Sequence, residues 1–245
     1  MTARADFARV RALLRTTGPT YRDAHYLTTT VEVDPAAMRP WLPGGVHLAD
    51  PPRADLFCAW FPDNAFQSPY REAGLFVHVR TPARTGIHTP WMIVDDDIAL
   101  IVGREALGYP KKIGEITFTV SGDDIEARAG RRGAELIHMH GELGEHIEEP
   151  YPILGRPNLN ATGLIGAAIP RLVLFRPGEH PIETRRAHLT LTLGGTPRDP
   201  LHEMGLGEVV DARLHRVDLT RGIPPFPVRP LSPRFIPRRF VPRIL

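Results

Sequence analysis

The sequence predicts an α+β protein that is mainly antiparallel β, with a barrel-like or curled sheet and a few short helices. Short segments rich in β-branched residues, or alternating apolar with polar residues, recur along the chain, and Gly, Pro, Asp or Asn separates most of them. Long helical patterns are few, whereas a parallel sheet needs a crossover, usually a helix, between successive strands. The predicted strands are 24–33, 54–61, 74–81, 87–94, 115–122, 125–130, 134–141, 187–195 and 208–219.

Helical patterns are confined to a few places. The N-terminal stretch 1–16 has arginines spread along an amphipathic pattern, and 34–42 opens with Asp-Pro, an N-cap followed by proline in the first turn. The segment 97–107, "DIALIVGREAL", predicts a helix that ends before Pro110. A fourth helix is predicted over 160–169, "NATGLIGAAI".

Length and composition predict one large domain with small additions. The chain has 245 residues, of which 42% are hydrophobic and 24% charged, so it can bury a sizeable core. We expect a helical lead over 1–20, a catalytic domain over 21–222 and a Pro/Arg-rich arm over 223–245. The arm holds seven prolines, which are expected to stop both sheet and helix. Either it lies on a neighbouring subunit or it is partly disordered.

Composition and charge also limit the classes of partner that we expect. The net charge is only +2, which gives no general case for nucleic acid, and no stretch approaches 18 consecutive apolar residues, so no membrane span is expected. The single cysteine, Cys58, lies in an apolar run and excludes an intrachain disulfide framework. The N-terminus lacks the apolar core of a secretory signal. We therefore expect a cytoplasmic protein that acts on a small molecule.

Lys111 and Lys112 are the only lysines in the chain, beside 28 arginines. Arginine replaces lysine wherever a permanent charge is enough, but it cannot lose its proton, whereas a buried ammonium readily shifts its pKa. The pair therefore suggests an amine that does chemistry; the alternative is an exposed remnant of codon bias. Because strand neighbours point to opposite faces, we expect one amine to enter a pocket, with burial as the larger cause of a lowered pKa.

The segment "GREALGYPKKIG", residues 103–114, resembles the signature of the acetoacetate decarboxylase family. The resemblance implies that Lys111 forms a Schiff base with a substrate carbonyl, with Lys112 as its neighbour and Tyr109 at the substrate. "PYREAGLF", residues 69–76, resembles a second family segment. It implies that Glu72 is the catalytic glutamate, and Tyr70, on the same strand face, could supply a hydroxyl.

Weaker matches extend the resemblance. "RPN" at 156–158 and "TVEVDPAAMRPWLP" at 30–43 are similar to family segments, so the likeness spans about 21–219. It implies a cone-like, β-rich fold that forms homo-oligomers.

The chain also departs from the family pattern at two positions. The family's carboxylate-binding arginine corresponds to Ala24, and a second glutamate corresponds to Phe57. Arg22 lies two residues before Ala24 and, at strand spacing, is expected to substitute for that arginine.

A Schiff-base mechanism without metal or organic cofactor follows from the resemblance. The iminium formed on Lys111 is an electron sink for breaking or making a bond at the adjacent carbon. The first expectation is decarboxylation of a β-keto acid, with Glu72 orienting the substrate or carrying protons. The alternative is an aldolase-dehydratase that condenses an α-keto acid such as pyruvate with an aldehyde.

Two functions from other classes stay open. His138, His140 and Glu145 match the spacing of a cupin metal site, because histidines at i and i+2 share one face of a strand. The second open function is a non-catalytic ligand-binding domain, because the family's arginine is missing. The acids at 95–97 read as a helix cap rather than as cation ligands.

Overall fold

A computed structural model describes residues 19–162 and 170–232. Two α-helices lie within these ranges, α1 (Pro35–Met38) and α2 (Asp97–Leu107), together with short 3-10 helices at Arg39–Trp41 and Leu201–Glu203. The fourteen strands of the described residues are β1 (Pro19–Val33), β2 (His47–Leu48), β3 (Arg53–Phe61), β4 (Asp63–Asn64), β5 (Tyr70–Thr81), β6 (Arg84–His88), β7 (Met92–Val94), β8 (Lys111–Ile113), β9 (Glu115–Ser121), β10 (Asp124–Arg131), β11 (Ala134–His146), β12 (Asn158–Thr162), β13 (Arg171–Leu193) and β14 (Leu206–Pro230).

All the strands belong to one mixed sheet. Its main path runs β12-β6-β5-β3-β1-β14-β13-β11-β10-β9, and β12 also pairs with β13, so the first seven strands close on themselves. The β12–β6 junction is parallel and consists of one residue pair, Asn158 with Ile87. The sheet is therefore ring-like rather than a barrel, which refines the predicted barrel-like form, whereas the mainly antiparallel, curled α+β architecture is confirmed.

The predicted elements mostly coincide with observed ones. Each predicted strand overlaps an observed strand, although 87–94 divides into β6 and β7, and 187–195 and 208–219 are parts of the much longer β13 and β14. The helix predicted over 97–107 has those bounds, and 34–42 forms α1 and the following 3-10 turn. The helix predicted over 160–169 is wrong for 160–162, which lie in β12; 163–169 are outside the described residues.

The C-terminal prolines do not end the sheet where we expected. β14 continues to Pro230 and pairs with β13 along this stretch, whereas its pairing with β1 reaches only Thr220. Residues 221–230 are thus an edge strand among the described residues, and a proline without an N–H is tolerated there on the open side. The predicted arm is therefore strand over 223–230, while 1–18 and 233–245 lie outside the described residues.

Both faces of β1, β3 and β5 are buried. Leu27, Leu56 and Leu75 belong to one hydrophobic cluster. Their strand neighbours Tyr26, Phe57 and Phe76 point to the opposite face and belong to a second, aromatic cluster. This second cluster surrounds the candidate site.

Candidate active site

The end of α2 determines where the lysine pair begins. Asp96 caps the helix by accepting a hydrogen bond from the Ala99 N–H at 2.7 Å. Gly108 closes it in the left-handed conformation, at φ 71°, and the Tyr109 N–H donates to the Gly103 carbonyl at 3.0 Å. Pro110 follows, and β8 starts at Lys111. The helix thus delivers the lysines into an extended segment, as predicted.

The two lysines point to opposite faces of β8. Lys111 is 5% exposed, and its Nζ donates to Oε2 of Glu72 at 2.6 Å. Nζ of Lys112 donates to the Asp199 carboxylate and to the Arg198 carbonyl. Burial lowers the pKa of Lys112, although its hydrogen bond to Asp199 opposes this shift. Strand alternation therefore keeps Lys112 apart from the Lys111–Glu72 pair, which corrects its expected place in the catalytic group.

Asp199 is the centre of the cluster that holds Lys112. Its carboxylate also accepts from Nη1 of Arg131 and from Nε1 of Trp91, each at 3.0 Å. Burial acts to raise the pKa of Asp199, but these donors and Lys112 hold it below its ordinary value. This cluster satisfies buried charges and joins separate parts of the fold.

Lys111 and Glu72 open onto a cavity of about 100 Å³. They are the only charged residues among the described residues that line it. The rest of the lining is mostly apolar or aromatic, and the aromatic residues include Tyr21, Tyr26, Phe61, Tyr70, Tyr109 and Phe175. The cavity wall thus holds a potential amine nucleophile and a carboxylate that could accept its proton side by side.

Tyr70 and Tyr109, both expected to bind substrate, flank the amine. Nζ of Lys111 lies 5.6 Å from the Tyr70 ring centroid and 5.7 Å from that of Tyr109. The Tyr70 hydroxyl donates to the Tyr21 hydroxyl at 3.4 Å, and its ring stacks on Phe61 at 4.6 Å between centroids. Burial raises the pKa of Tyr70 and of Tyr109 well above the ordinary value, so both hydroxyls stay protonated.

Asn158, from the "RPN" segment, fixes Tyr109. Its Oδ1 accepts a hydrogen bond from the Tyr109 hydroxyl at 3.0 Å. Its amide group donates to the carbonyls of Arg156 at 2.8 Å and Leu154 at 3.2 Å, so the side chain cannot rotate freely. The segment is visible in the sequence, but its resemblance to a family segment predicts no role for Asn158.

Gly103, the first residue of the lysine motif, leaves room for the Lys111 side chain. A Cβ at this position would lie 2.8 Å from both Cδ and Cε of Lys111. At this distance the Lys111 side chain would have to shift. The glycine of the motif therefore has a steric role next to the amine.

Arg22 does not reach the cavity, which corrects the expectation that it substitutes for the family's arginine. Its side chain is 66% exposed and lies 3.9 Å from the Asp63 carboxylate. Asp23 has a positive φ of 50°, and the β1–β14 register slips between Tyr21 and Ala24. This bulge breaks the two-residue alternation on which the expectation rested, so Tyr21 faces the cavity instead.

The other departing positions are apolar and buried. Ala24 is inaccessible to solvent, and the Phe57 ring stacks on Phe76 at 4.2 Å. Neither lines the cavity. The two positions therefore contribute packing, and no charge, beside the site.

His138 and His140 stack at 4.7 Å between ring centroids, but Glu145 does not join them to complete the proposed cupin site. Nε2 of His138 lies 3.0 Å from a Glu126 oxygen, and Glu145 accepts from Nε of Arg186 at 2.6 Å. Across 19–162 and 170–232, no group of three or more His, Cys, Asp or Glu side chains is placed to hold a metal ion. The spacing alone was misleading because the glutamate lies farther along the same long strand, β11.

Tyr21 and Tyr26 also line the cavity, although neither was predicted as a site residue. Tyr26 is inaccessible to solvent, and its hydroxyl has no hydrogen-bond partner among the described residues. Alternation along β1 would have placed Tyr26 on the face of Ala24, but nothing in the sequence says which face of a doubly buried strand meets a cavity.

In the part of the chain that the structure describes, no helix has the length and apolar character needed to cross a membrane.

Comparison with known proteins identifies relatives of this chain. The acetoacetate decarboxylase (ADC) family model matches residues 10–225. Acetoacetate decarboxylase from Burkholderia vietnamiensis is 29% identical over 211 residues, which cover 82% of this chain and 85% of that protein. The first curated relatives, such as acetoacetate decarboxylase from Chromobacterium violaceum at 33% identity, align over only about two fifths of their own length, 40% in that case.

Solved structures share the fold. Acetoacetate decarboxylase from Legionella pneumophila superposes with a TM-score of 0.75 at 17% identity, covering 88% of each chain. The enduracididine biosynthesis enzyme MppR, complexed with pyruvate, gives a TM-score of 0.75 at 18% identity, covering 89% of this chain and 93% of the other. On the extent of the family match, together with this fold, the chain belongs to the acetoacetate decarboxylase family.

Proposed function

We propose that this protein is a Schiff-base-forming lyase that acts on a small keto acid through Lys111. The observation that carries the proposal is the buried contact of 2.6 Å between Nζ of Lys111 and the Glu72 carboxylate, at the wall of an aromatic cavity. An amine kept only for binding would gain nothing over arginine, which this chain uses almost everywhere else. Family membership supports the same chemistry.

The mechanism begins with a proton transfer within the pair. Glu72 takes a proton from Lys111, and the neutral amine attacks the ketone carbon; loss of water gives a cationic C=N bond. For a β-keto acid, the bond to the carboxylate then breaks, carbon dioxide leaves, and the electron pair forms an enamine. Protonation of the enamine carbon and hydrolysis release the ketone and restore Lys111.

Aldol condensation followed by dehydration is the second candidate. MppR, a structural neighbour, is described in complex with pyruvate, and an enamine made from an α-keto acid can attack an aldehyde. The described lining residues provide no cation other than Lys111 to hold a carboxylate, so decarboxylation has no dedicated anion site. Both reactions share the iminium and differ in how the pocket holds the second carbon centre.

Product analysis distinguishes the two reactions. Acetoacetate with wild-type protein should release carbon dioxide into the headspace, whereas pyruvate with a small aldehyde should give a new carbon–carbon bond detectable by mass spectrometry. A Lys111→Arg variant should lose whichever reaction occurs, and Lys112→Arg is the matched control that keeps it. If folded wild-type protein gives neither product, the proposal is contradicted. A non-catalytic binding domain would then be the better explanation.

We also propose that the protein is a cytoplasmic homo-oligomer. The edge of β14 exposes the apolar side chains Ile223, Phe226 and Val228, and α2 exposes Ile98 and Ile101. Apolar surface of this kind favours association between copies of a chain. Multi-angle light scattering should show a mass of at least two chains; a monomer at micromolar concentration would contradict this.

A further inference from the structure

Tyr26 carries a polar group that the fold itself does not use. The side chain is fully buried on β1 and lines the cavity, yet its hydroxyl has no hydrogen-bond partner among the described residues. A buried hydroxyl without a partner lowers stability, so a phenylalanine here would suit packing alone better. A tyrosine at this position is therefore better explained by function than by packing.

The hydroxyls of the two tyrosines that flank the amine already donate elsewhere, and the Tyr21 hydroxyl, which also lines the cavity, accepts one of these hydrogen bonds. Tyr70 donates to Tyr21, and Tyr109 donates to Asn158. The Tyr26 ring is held in place by Phe61 and Phe57, with centroids 5.5 and 5.9 Å away. Burial first, and then the nearby Glu72 carboxylate, raises the pKa of Tyr26 well above its ordinary value. Its hydroxyl is thus a fixed donor that stays protonated.

The charged residues that line the cavity indicate which substrate group such a donor would bind. Lys111 is the only cation among the described lining residues, and the proposed chemistry consumes its amine in the iminium. A substrate with a second oxygen-bearing group next to the reacting carbonyl therefore meets no arginine or histidine among the described residues of the lining. A neutral O–H donor is the remaining way to satisfy that oxygen.

We propose that the Tyr26 hydroxyl donates a hydrogen bond to the second oxygen group of the substrate, and so selects carbonyl compounds that carry one. The inference rests on the proposed function and narrows its substrate class. A phenol offers a hydrogen bond without a formal charge, so a carboxylate and an uncharged ester should both be accepted. An arginine at the same place would favour the carboxylate strongly.

The test compares three probes by reductive trapping with cyanoborohydride, read by intact mass. Acetoacetate and methyl acetoacetate both carry the second oxygen group but differ in charge, and acetone lacks it. In wild-type protein, the half-saturating concentrations for acetoacetate and its methyl ester should lie within about tenfold of each other. A preference of more than about 100-fold for the acid would reveal a cationic partner and overturn the inference.

The Tyr26→Phe variant removes only the hydroxyl. It should raise the half-saturating concentration for acetoacetate and for its ester about tenfold, leave acetone unchanged, and leave the melting temperature equal or higher. Tyr151→Phe, which removes a hydroxyl outside the cavity lining, is the matched control and should change none of these concentrations.

Equal trapping of acetoacetate by wild type and Tyr26→Phe would contradict the inference, as would an equal loss for acetone, which would indicate a packing defect. No adduct of wild-type protein with any probe would instead be a failure of the proposed function. If the variant does not fold, the comparison of acetoacetate with its methyl ester in wild-type protein still tests the inference.

Discussion

The contact between Lys111 and Glu72 places a potential nucleophile and a proton acceptor 2.6 Å apart, and each residue is only 5% exposed. In water the two groups would be solvated separately and would interact weakly. In an aromatic cavity the carboxylate is the nearest proton acceptor for the ammonium, and it can return the proton when water leaves or when the enamine is protonated. In the proposed mechanism, Glu72 thus acts at more than one step.

Replacing Glu72 by glutamine should separate this role from packing. Glu72→Gln keeps the shape and a hydrogen-bond acceptor but cannot take a proton, so we expect turnover to fall about 100-fold or more with little change in the melting temperature. Steady-state product release would measure the effect. Turnover within about threefold of wild type would show that Glu72 moves no proton.

The second lysine should behave differently from the first. Lys112→Ala would leave the buried Asp199 carboxylate with one cation fewer, so we expect a loss of about 3 kcal/mol in the free energy of unfolding. Urea denaturation measures this loss, and trapping at low temperature in folded variant should still give the Lys111 adduct. A fully stable variant without trapping would reverse the roles assigned to the two lysines.

At the scale of elements, α2 and the turn after it place Lys111. Gly103 gives the lysine stem its space, and Gly108 adopts the left-handed conformation that turns the chain into β8. Both glycines belong to the motif that was visible in the sequence. Their physical reasons, however, require the positions of residues on other elements.

A methyl group on Gly103 tests this placement. Gly103→Ala should favour the helix but push the Lys111 stem away from 2.8 Å contacts, so we expect turnover to fall about 100-fold in a folded protein. Gly44→Ala is a matched control, because a Cβ there meets nothing within 4 Å. Equal activity of Gly103→Ala and wild type would show that the lysine stem adapts without loss.

Elements governed by local rules were predictable, and those governed by neighbours were not. The bounds of α2 follow from its Asp cap and from the proline after it, both local. The exposure of Arg22 depends on a bulge in β1, and the strand over 224–230 forms because that stretch lies at the edge of the sheet. Neither the bulge nor the edge position can be recognised from the local sequence.

For the whole molecule, separate buried polar clusters stabilise the ring of strands. Asp55 accepts from Nη2 of Arg156 at 2.6 Å and lies 2.8 Å from Nε2 of His78. Burial acts to raise the pKa of Asp55, but His78 and Arg156 hold it well below its ordinary value. His215 is also buried; burial, with Arg213 nearby, lowers its pKa from 6.5 to about 3.

His215 should make the protein less stable in mild acid. Between pH 6.5 and about 3 the unfolded chain binds a proton at this histidine that the folded protein does not, so the free energy of unfolding falls as the pH falls. From pH 7 to pH 5 this amounts to about 2 kcal/mol.

A His215→Gln variant should lack that part of the pH dependence. Urea denaturation of the two proteins at pH 7 and pH 5 measures the difference between their losses. Identical losses would mean that His215 is already protonated in the folded protein, or that it is solvated there.

The residues at the chemical centre of the candidate site could be predicted from the sequence, whereas those surrounding them could not. Lys111, Glu72, Tyr70 and Tyr109 come from two motifs whose residue types reveal their chemistry. Tyr26 and Asn158 come from distant parts of the chain and look like ordinary strand residues. Only the closure of the ring brings Tyr26 to the cavity and Asn158 to the Tyr109 hydroxyl.

The most direct test of the central claim is to locate a trapped adduct by peptide mass spectrometry. Wild-type protein incubated with acetoacetate or pyruvate and cyanoborohydride should gain one reduced adduct, on the peptide that contains both lysines, and fragmentation should place it on Lys111. Lys111→Arg should abolish it and Lys112→Arg should keep it. An adduct on Lys112, or no adduct with either keto acid in folded protein, would contradict the account.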